Sequence, residues 1–238
     1  MIALAPAEVR AIRPAAARVP GGRFRMGAAD GRPDESPVHE VEVSPFHLAL
    51  TPVTRAQYAP FLAEADTPEP PWWSHPAFAH PGQPLVGVTW FEAAAFAQWL
   101  GAAVGGRWRL PTEAEWERAA RGGLESAPTA WGAALPGGEV PSGRLEGPWL
   151  VGRGTPNGYG LFDMTTVVHE WCLDWYADRY YEVSPGTDPR GPDEGERRSS
   201  RGGSWRHHMR WSSPAARSSL PPASRYADYG FRVLREDG

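Results

Sequence analysis

Residues 109–117 read Arg-Leu-Pro-Thr-Glu-Ala-Glu-Trp-Glu, and they carry the clearest structural signal in the chain. Thr112 precedes Glu115 by three residues. This is the capping-box spacing, in which the threonine oxygen accepts a backbone N–H and the glutamate side chain reaches back to the cap. The same spacing recurs at residues 54–57 and 89–92. The sequence therefore predicts three helices that begin at capping boxes and carry aromatic residues into the core.

Around these helices the chain is rich in turn-forming residues. The 27 glycines and 26 prolines are spread along 238 residues, which indicates many loops and not one disordered tail. Apolar residues in partial alternation between positions 38 and 48 predict short strands, and residues 230–234 predict a closing strand. The sequence shows no internal repeat and no long linker. We therefore expect an N-terminal extension at residues 1–18 and a single domain at residues 19–238.

Composition excludes several classes of protein. Cys172 is the only cysteine, so no intrachain disulfide can form. Residues 1–20 lack the apolar core of a signal peptide, and no stretch approaches the roughly 20 apolar residues of a membrane span. The net charge of −4 argues against a dedicated nucleic-acid binder. By default we expect a cytoplasmic monomer without a membrane span and without a nucleic-acid partner.

Eight short motifs follow one another through nearly all of residues 20–235. Besides residues 109–117, they include Pro-Val-Thr-Arg-Ala-Gln-Tyr (52–58), Asn-Gly-Tyr-Gly-Leu-Phe-Asp-Met (157–164), Glu-Trp (170–171), Arg-Gly-Gly-Ser-Trp (201–205) and Gly-Phe-Arg (230–232). In this order they resemble the formylglycine-generating-enzyme, or sulfatase-modifying factor, family. The resemblance implies an α+β, C-type-lectin-like fold with few helices, short strands and much irregular structure.

The resemblance also implies a copper site, which this sequence lacks. In the family, two cysteine thiolates just after the Gly-Gly-Ser-aromatic motif hold the copper that oxidises a substrate cysteine, and copper(I) requires such soft ligands. Here residues 206–213 read Arg-His-His-Met-Arg-Trp-Ser-Ser. His207 stands near the first cysteine position, the second falls at residues 211–213, and Cys172 lies elsewhere. We therefore expect no copper.

Two other metal sites are open alternatives. The resemblance implies a structural calcium site with the side chains of Asp163 and Glu170 and the carbonyls of Thr166 and Val168, since calcium prefers hard oxygen ligands. The alternative for these carboxylates is an ion pair with arginine.

A transition metal at His207 and His208 would instead make the protein a metal-dependent oxidase or oxygenase. Adjacent residues on an extended chain point to opposite faces, so these two histidines would need another ligand, such as His169.

The C-terminal segment, residues 201–232, is the candidate ligand-binding surface. Its ending, with Arg217, Arg225 and Arg232, also resembles the variable proteins of diversity-generating retroelements. Between the two glycine motifs lie aromatic, arginine and serine residues, a composition typical of adaptable binding loops. The candidate binding residues are His207, His208, Arg210, Trp211, Ser212, Ser213, Ser218, Ser219, Leu220, Ser224, Tyr226, Asp228 and Tyr229.

These observations predict a non-catalytic protein that binds a protein or another macromolecule. Trp211, Tyr226 and Tyr229 are the predicted anchors, because aromatic side chains dominate binding energy. A third interpretation is an effector or regulatory domain within a larger assembly.

Overall fold

The computed structural model describes residues 5–65, 67–133, 146–208 and 212–237. Its helices are α1 (Pro6–Ile12), α2 (Arg55–Glu64), α3 (Trp90–Val104) and α4 (Glu113–Arg121), with single 3-10 turns at Pro33–Glu35, Pro76–Phe78 and Tyr180–Glu182. Its strands are β1 (Ala16–Val19), β2 (Gly22–Met26), β3 (His39–Val43), β4 (Phe46–Ala49), β5 (Trp108–Arg109), β6 (His169–Trp175), β7 (Arg198–Arg201), β8 (Arg217–Leu220), β9 (Tyr229–Gly230) and β10 (Leu234–Glu236). The predicted α+β class, with few helices and short strands, is confirmed.

The strands form three small sheets, in the orders β1-β4-β10-β5, β2-β3 and β8-β7-β6-β9. In the third sheet, β6 and β9 run parallel, with His169 opposite Tyr229 and Glu170 opposite Gly230. This pairing joins the middle of the chain to its C-terminal segment. No helix in the described parts of the chain is long and apolar enough to cross a membrane.

All three predicted capping boxes are present at the starts of α2, α3 and α4. At α4, the Glu115 N–H donates to the Thr112 hydroxyl at 3.2 Å, and the Thr112 N–H donates to the Glu115 carboxylate at 2.8 Å. Each cap satisfies donors that the first helical turn leaves unpaired, an effect of about 1 kcal/mol. Local sequence is therefore sufficient to place these helix starts.

The predicted boundary at residue 18 falls inside strand β1. Residues 16–19 pair in register with β4 across their whole length, and Ile12 is buried in the same apolar cluster as Phe96. The described part of the predicted N-terminal extension is thus built into the domain. Ile12 and Pro14 are buried, and β1 is an edge strand, so this attachment leaves no long periodic pattern in the Ala- and Arg-rich sequence.

Arginine–glutamate pairs form a buried network next to helix α4. Arg201 donates to Glu117 at 2.6 Å and lies 3.5 Å from Glu113, while Arg121 contacts Glu117 at 2.5 Å and Arg217 donates to Glu113 at 2.9 Å. All five side chains are buried. The network ties α4 to β7 and β8, the two strands that flank residues 202–216.

Candidate functional site

A large cleft opens beside the C-terminal segment, with a volume of about 1490 Å³. We call this space the cleft throughout. Its floor contains His169 and Gly202. Its lining also includes residues 27–32, 126–128, 206–208 and 215–218, with Tyr226, Asp228 and Tyr229.

Three side chains that differ widely in sequence position meet on the floor of the cleft. His169 begins β6, Asp228 precedes β9, and His207 lies on the turn after Trp205. One nitrogen of each histidine and one carboxylate oxygen of Asp228 all lie within 4.8 Å of one another. The His169 backbone N–H donates to the Asp228 carbonyl at 2.9 Å, and the two imidazole rings lie 4.9 Å apart. We call these residues the His-His-Asp cluster.

Burial controls the charge of His169. Loss of hydration lowers the pKa of His169 to about 4, although the Asp228 carboxylate acts in the opposite direction. The ring is therefore neutral at neutral pH. Its Nδ1 atom is buried and has no hydrogen-bond partner among the described residues.

The Asp228 carboxylate is held from two sides. It accepts a hydrogen bond from the Ser204 hydroxyl at 3.1 Å and lies 3.7 Å from the Arg206 guanidinium. His207 Nε2 lies 3.8 Å from the same carboxylate. The cleft thus presents two imidazoles and one oriented carboxylate to its interior.

The predicted anchors have different environments. Tyr226 is 47% exposed and lines the cleft, as an anchor should. Tyr229 is only 6% exposed: its ring packs on Trp171 and its hydroxyl is hydrogen-bonded to Ser218 at 2.8 Å. Tyr229 is therefore mainly a core residue with one edge at the cleft, and its role as an anchor stays a prediction. Arg210 and Trp211 lie outside the described residues.

The remaining predicted binding residues divide into two groups. Those that line the cleft are His207, His208, Ser213, Ser218, Leu220 and Asp228. Ser212, Ser219 and Ser224 do not line it. Ser212 is buried against Gly203, and the Ser219 hydroxyl accepts a hydrogen bond from Arg197 at 2.9 Å. Residues of the two groups are neighbours in the chain, as Ser218 and Ser219 are on strand β8, so composition alone could not separate them.

Both carboxylates of the predicted calcium site have hydrogen-bond partners within the protein. Both Glu170 oxygens accept hydrogen bonds from Arg232 at 2.7 Å, and one also accepts from the Trp116 indole at 2.6 Å. A buried guanidinium already neutralises this carboxylate, so it offers no charge to calcium. Asp163, the other expected carboxylate ligand, accepts the Gly152 N–H at 2.6 Å. The contacts of Glu170 favour the alternative interpretation, a carboxylate held by arginine. The calcium site, with the carbonyls of Thr166 and Val168, stays a prediction.

Cys172 does not line the cleft. It is buried, its thiol contacts the Glu170 carbonyl at 3.8 Å, and burial raises the pKa of the thiol well above its usual value. The chain contains one cysteine and thus no cysteine pair.

His169 was predicted only as a further metal ligand and was not among the predicted binding residues. Residues 27–32, which line the cleft, were not predicted to do so. The signal for His169 was its position one residue before Glu170, in a run of apolar residues where an ionisable side chain is costly. Its partner Asp228 could be found only from the parallel pairing of β6 with β9.

The chain is similar to known proteins over more than nine tenths of its length. The model of the sulfatase-modifying factor enzyme 1-like domain matches residues 3–237. The formylglycine-generating enzyme of Streptomyces coelicolor is 36% identical over 283 residues, which cover 92% of this chain and 88% of that protein. The structure of PvdO from Pseudomonas aeruginosa superimposes with a TM-score of 0.82 at 27% identity, covering 94% of this chain and 95% of that one. Treponema denticola variable protein 1 has the same fold, with a TM-score of 0.82 at 24% identity and coverages of 93% and 95%.

Proposed function

The chain belongs to the sulfatase-modifying factor enzyme 1-like family, and we propose that it is a non-catalytic member that binds a segment of another protein in the cleft. The observation that carries this proposal is the contrast between a fixed frame and an exposed binding face in the same C-terminal segment. The family's thiolate chemistry has no cysteine pair to use here.

The frame consists of buried arginines. Arg201, Arg217 and Arg232 are buried, and each is held by a glutamate: Arg201 by Glu117, Arg217 by Glu113 and Arg232 by Glu170. These charge-assisted contacts, which are bidentate for Arg217 and Arg232, fix both ends of the segment. A rigid support reduces the ordering cost that a loop would otherwise incur on binding.

The binding face lies between these arginines. Tyr226 and Arg206 are 47% and 51% exposed, and both line the cleft together with His208 and Ser213. Aromatic and arginine side chains supply most of the energy at interfaces, while serine and histidine adapt their hydrogen bonds to the partner. The similarity of the ending to retroelement variable proteins supports the same assignment. A protein partner suits the negative net charge better than a nucleic acid does.

Replacing Tyr226 with alanine is expected to leave folding unchanged and to weaken ligand binding by about 1–3 kcal/mol. The side chain is half exposed, and the hydrogen bond from the Gly87 N–H goes to the Tyr226 carbonyl, which the variant keeps. A random peptide library displayed on phage would supply the ligand, and fluorescence anisotropy would then measure its dissociation constant.

Phe91→Ala is the matched control, because Phe91 is an aromatic side chain that is 54% exposed and does not line the cleft. The Phe91 variant should bind like wild type. If no peptide is enriched over a denatured-protein control, or if both variants bind equally well, the cleft is not the binding surface.

A further inference from the structure

We propose that the His-His-Asp cluster binds a divalent first-row transition-metal ion on the floor of the cleft. Two imidazole nitrogens and one carboxylate oxygen are the ligands that Fe²⁺, Co²⁺ and Zn²⁺ accept, and three protein ligands leave coordination positions open. The open positions face the cleft, where water or a donor group from a bound partner can occupy them. This inference goes beyond the proposed binding function and does not depend on it.

The backbone holds two of the three ligands in place. His169 and Asp228 lie at the start of the parallel β6–β9 pair, and the His169 backbone N–H donates to the Asp228 carbonyl at 2.9 Å. This contact holds the backbone of Asp228, just before β9, beside the start of β6. Only a small adjustment of side-chain rotamers is needed to bring ligand atoms from 4.8 Å separation to the spacing of a coordination shell.

His207 is supplied by a tight turn. Gly202 has φ of +83°, a conformation that favours glycine, and a side chain at Gly203 would collide with the Ser212 hydroxyl. The His207 backbone N–H then donates to the Ser204 carbonyl at 3.0 Å, which closes the turn above the strands. The Gly-Gly-Ser-Trp motif thus directs the next histidine over the floor of the cleft.

An unpaired nitrogen on His169 points to a ligand. Nδ1 of His169 is buried and has no hydrogen-bond partner in the described parts of the chain. Buried polar atoms are nearly always paired, so this atom requires an explanation. Metal-bound histidines characteristically use one ring nitrogen for the ion and the other for a backbone carbonyl or carboxylate. The unpaired Nδ1 gives His169 a ring nitrogen that is available to an ion.

The Asp228 carboxylate has a comparable outer contact. The Ser204 hydroxyl donates to it at 3.1 Å, which orients the carboxylate toward the two histidines. Arg206 competes for the same group at 3.7 Å, but it is a surface side chain that can turn into solvent when an ion binds. One carboxylate and two neutral imidazoles leave a bound divalent ion with a net positive charge, which would attract an anionic donor to the cleft.

Titration of the protein with Co²⁺, followed by visible absorption, tests the site directly. We expect wild type to bind one equivalent of Co²⁺ with visible absorption bands, and Zn²⁺ to displace it. His207→Ala and Asp228→Asn should each weaken Co²⁺ binding at least about tenfold, as expected when one of three ligands is lost. Both variants change groups at the cleft surface, and circular dichroism would verify that they remain folded.

His208→Ala is the control, because His208 adjoins His207 in sequence but is not in the cluster. It should bind Co²⁺ as wild type does. The proposal is overturned if wild type binds neither Co²⁺ nor Zn²⁺ at millimolar concentration, or if His208→Ala loses the ion while His207→Ala keeps it. Since the ion alone is the probe, failure here leaves the peptide-binding test unaffected.

Discussion

Replacing Arg201 with methionine is expected to lower the free energy of unfolding by about 3–5 kcal/mol, because it leaves buried carboxylates without their partner. Arg201 is fully buried and donates to Glu117 at 2.6 Å and to the Ala215 carbonyl at 2.9 Å. Methionine fills similar space but supplies no donor, so Glu117 and Glu113 would each depend on one remaining arginine. Chemical unfolding at neutral pH, followed by tryptophan fluorescence, measures the loss.

The pH dependence of this effect has a definite sign. Burial alone would raise the pKa of Glu117, but Arg201 and Arg121 outweigh it and hold the pKa below its usual value. A carboxylate with a lowered pKa stabilises the folded state above its unfolded pKa and loses that contribution as the pH falls. The difference between wild type and Arg201→Met should therefore shrink as the pH falls below about 4, through the lowered pKa of Glu117.

Arg179→Met is the control for removal of an arginine as such. Arg179 pairs with Glu182 at 2.8 Å on the surface, where ion pairs contribute little. Its unfolding midpoint should match that of wild type. A stability of Arg201→Met close to that of wild type would mean that the glutamates adopt a neutral or solvated state and that the network is not a structural frame.

The parts of the fold that sequence could predict are those fixed by neighbours in the chain. The three capping boxes depend on residues three positions apart, so Thr54, Thr89 and Thr112 identified their helices correctly. The turn at Gly202 and Gly203 is likewise determined by residues that are neighbours in the chain.

The parts that could not be predicted depend on distant partners. The fate of Glu170 is decided by Arg232, which lies 62 positions away, and motif spacing cannot distinguish an arginine from calcium as its counter-ion. The His-His-Asp cluster similarly requires the parallel register of β6 and β9. His207 and Asp228 were each predicted as site residues. Their proximity to His169 could not be predicted, because it depends on how the distant strands pair.

The Glu170–Arg232 pair is expected to show strong coupling between its two members. Glu170→Gln leaves a buried guanidinium without its counter-charge, and Arg232→Met leaves a buried carboxylate, so each should cost about 3–5 kcal/mol in the free energy of unfolding. The double variant removes both charges, while the amide oxygen of the introduced glutamine can still accept from the Trp116 indole. The double variant should therefore lose less stability than the sum of the two single losses, by up to about 3 kcal/mol.

Chemical unfolding of the four proteins gives the coupling energy, and repeating it with millimolar calcium tests the competing assignment. Calcium should leave the wild-type midpoint unchanged, because both Glu170 oxygens are already bound to Arg232. Additive single effects, or a wild-type midpoint that rises with calcium and no longer does so in Glu170→Gln, would show that a cation and not Arg232 balances this carboxylate.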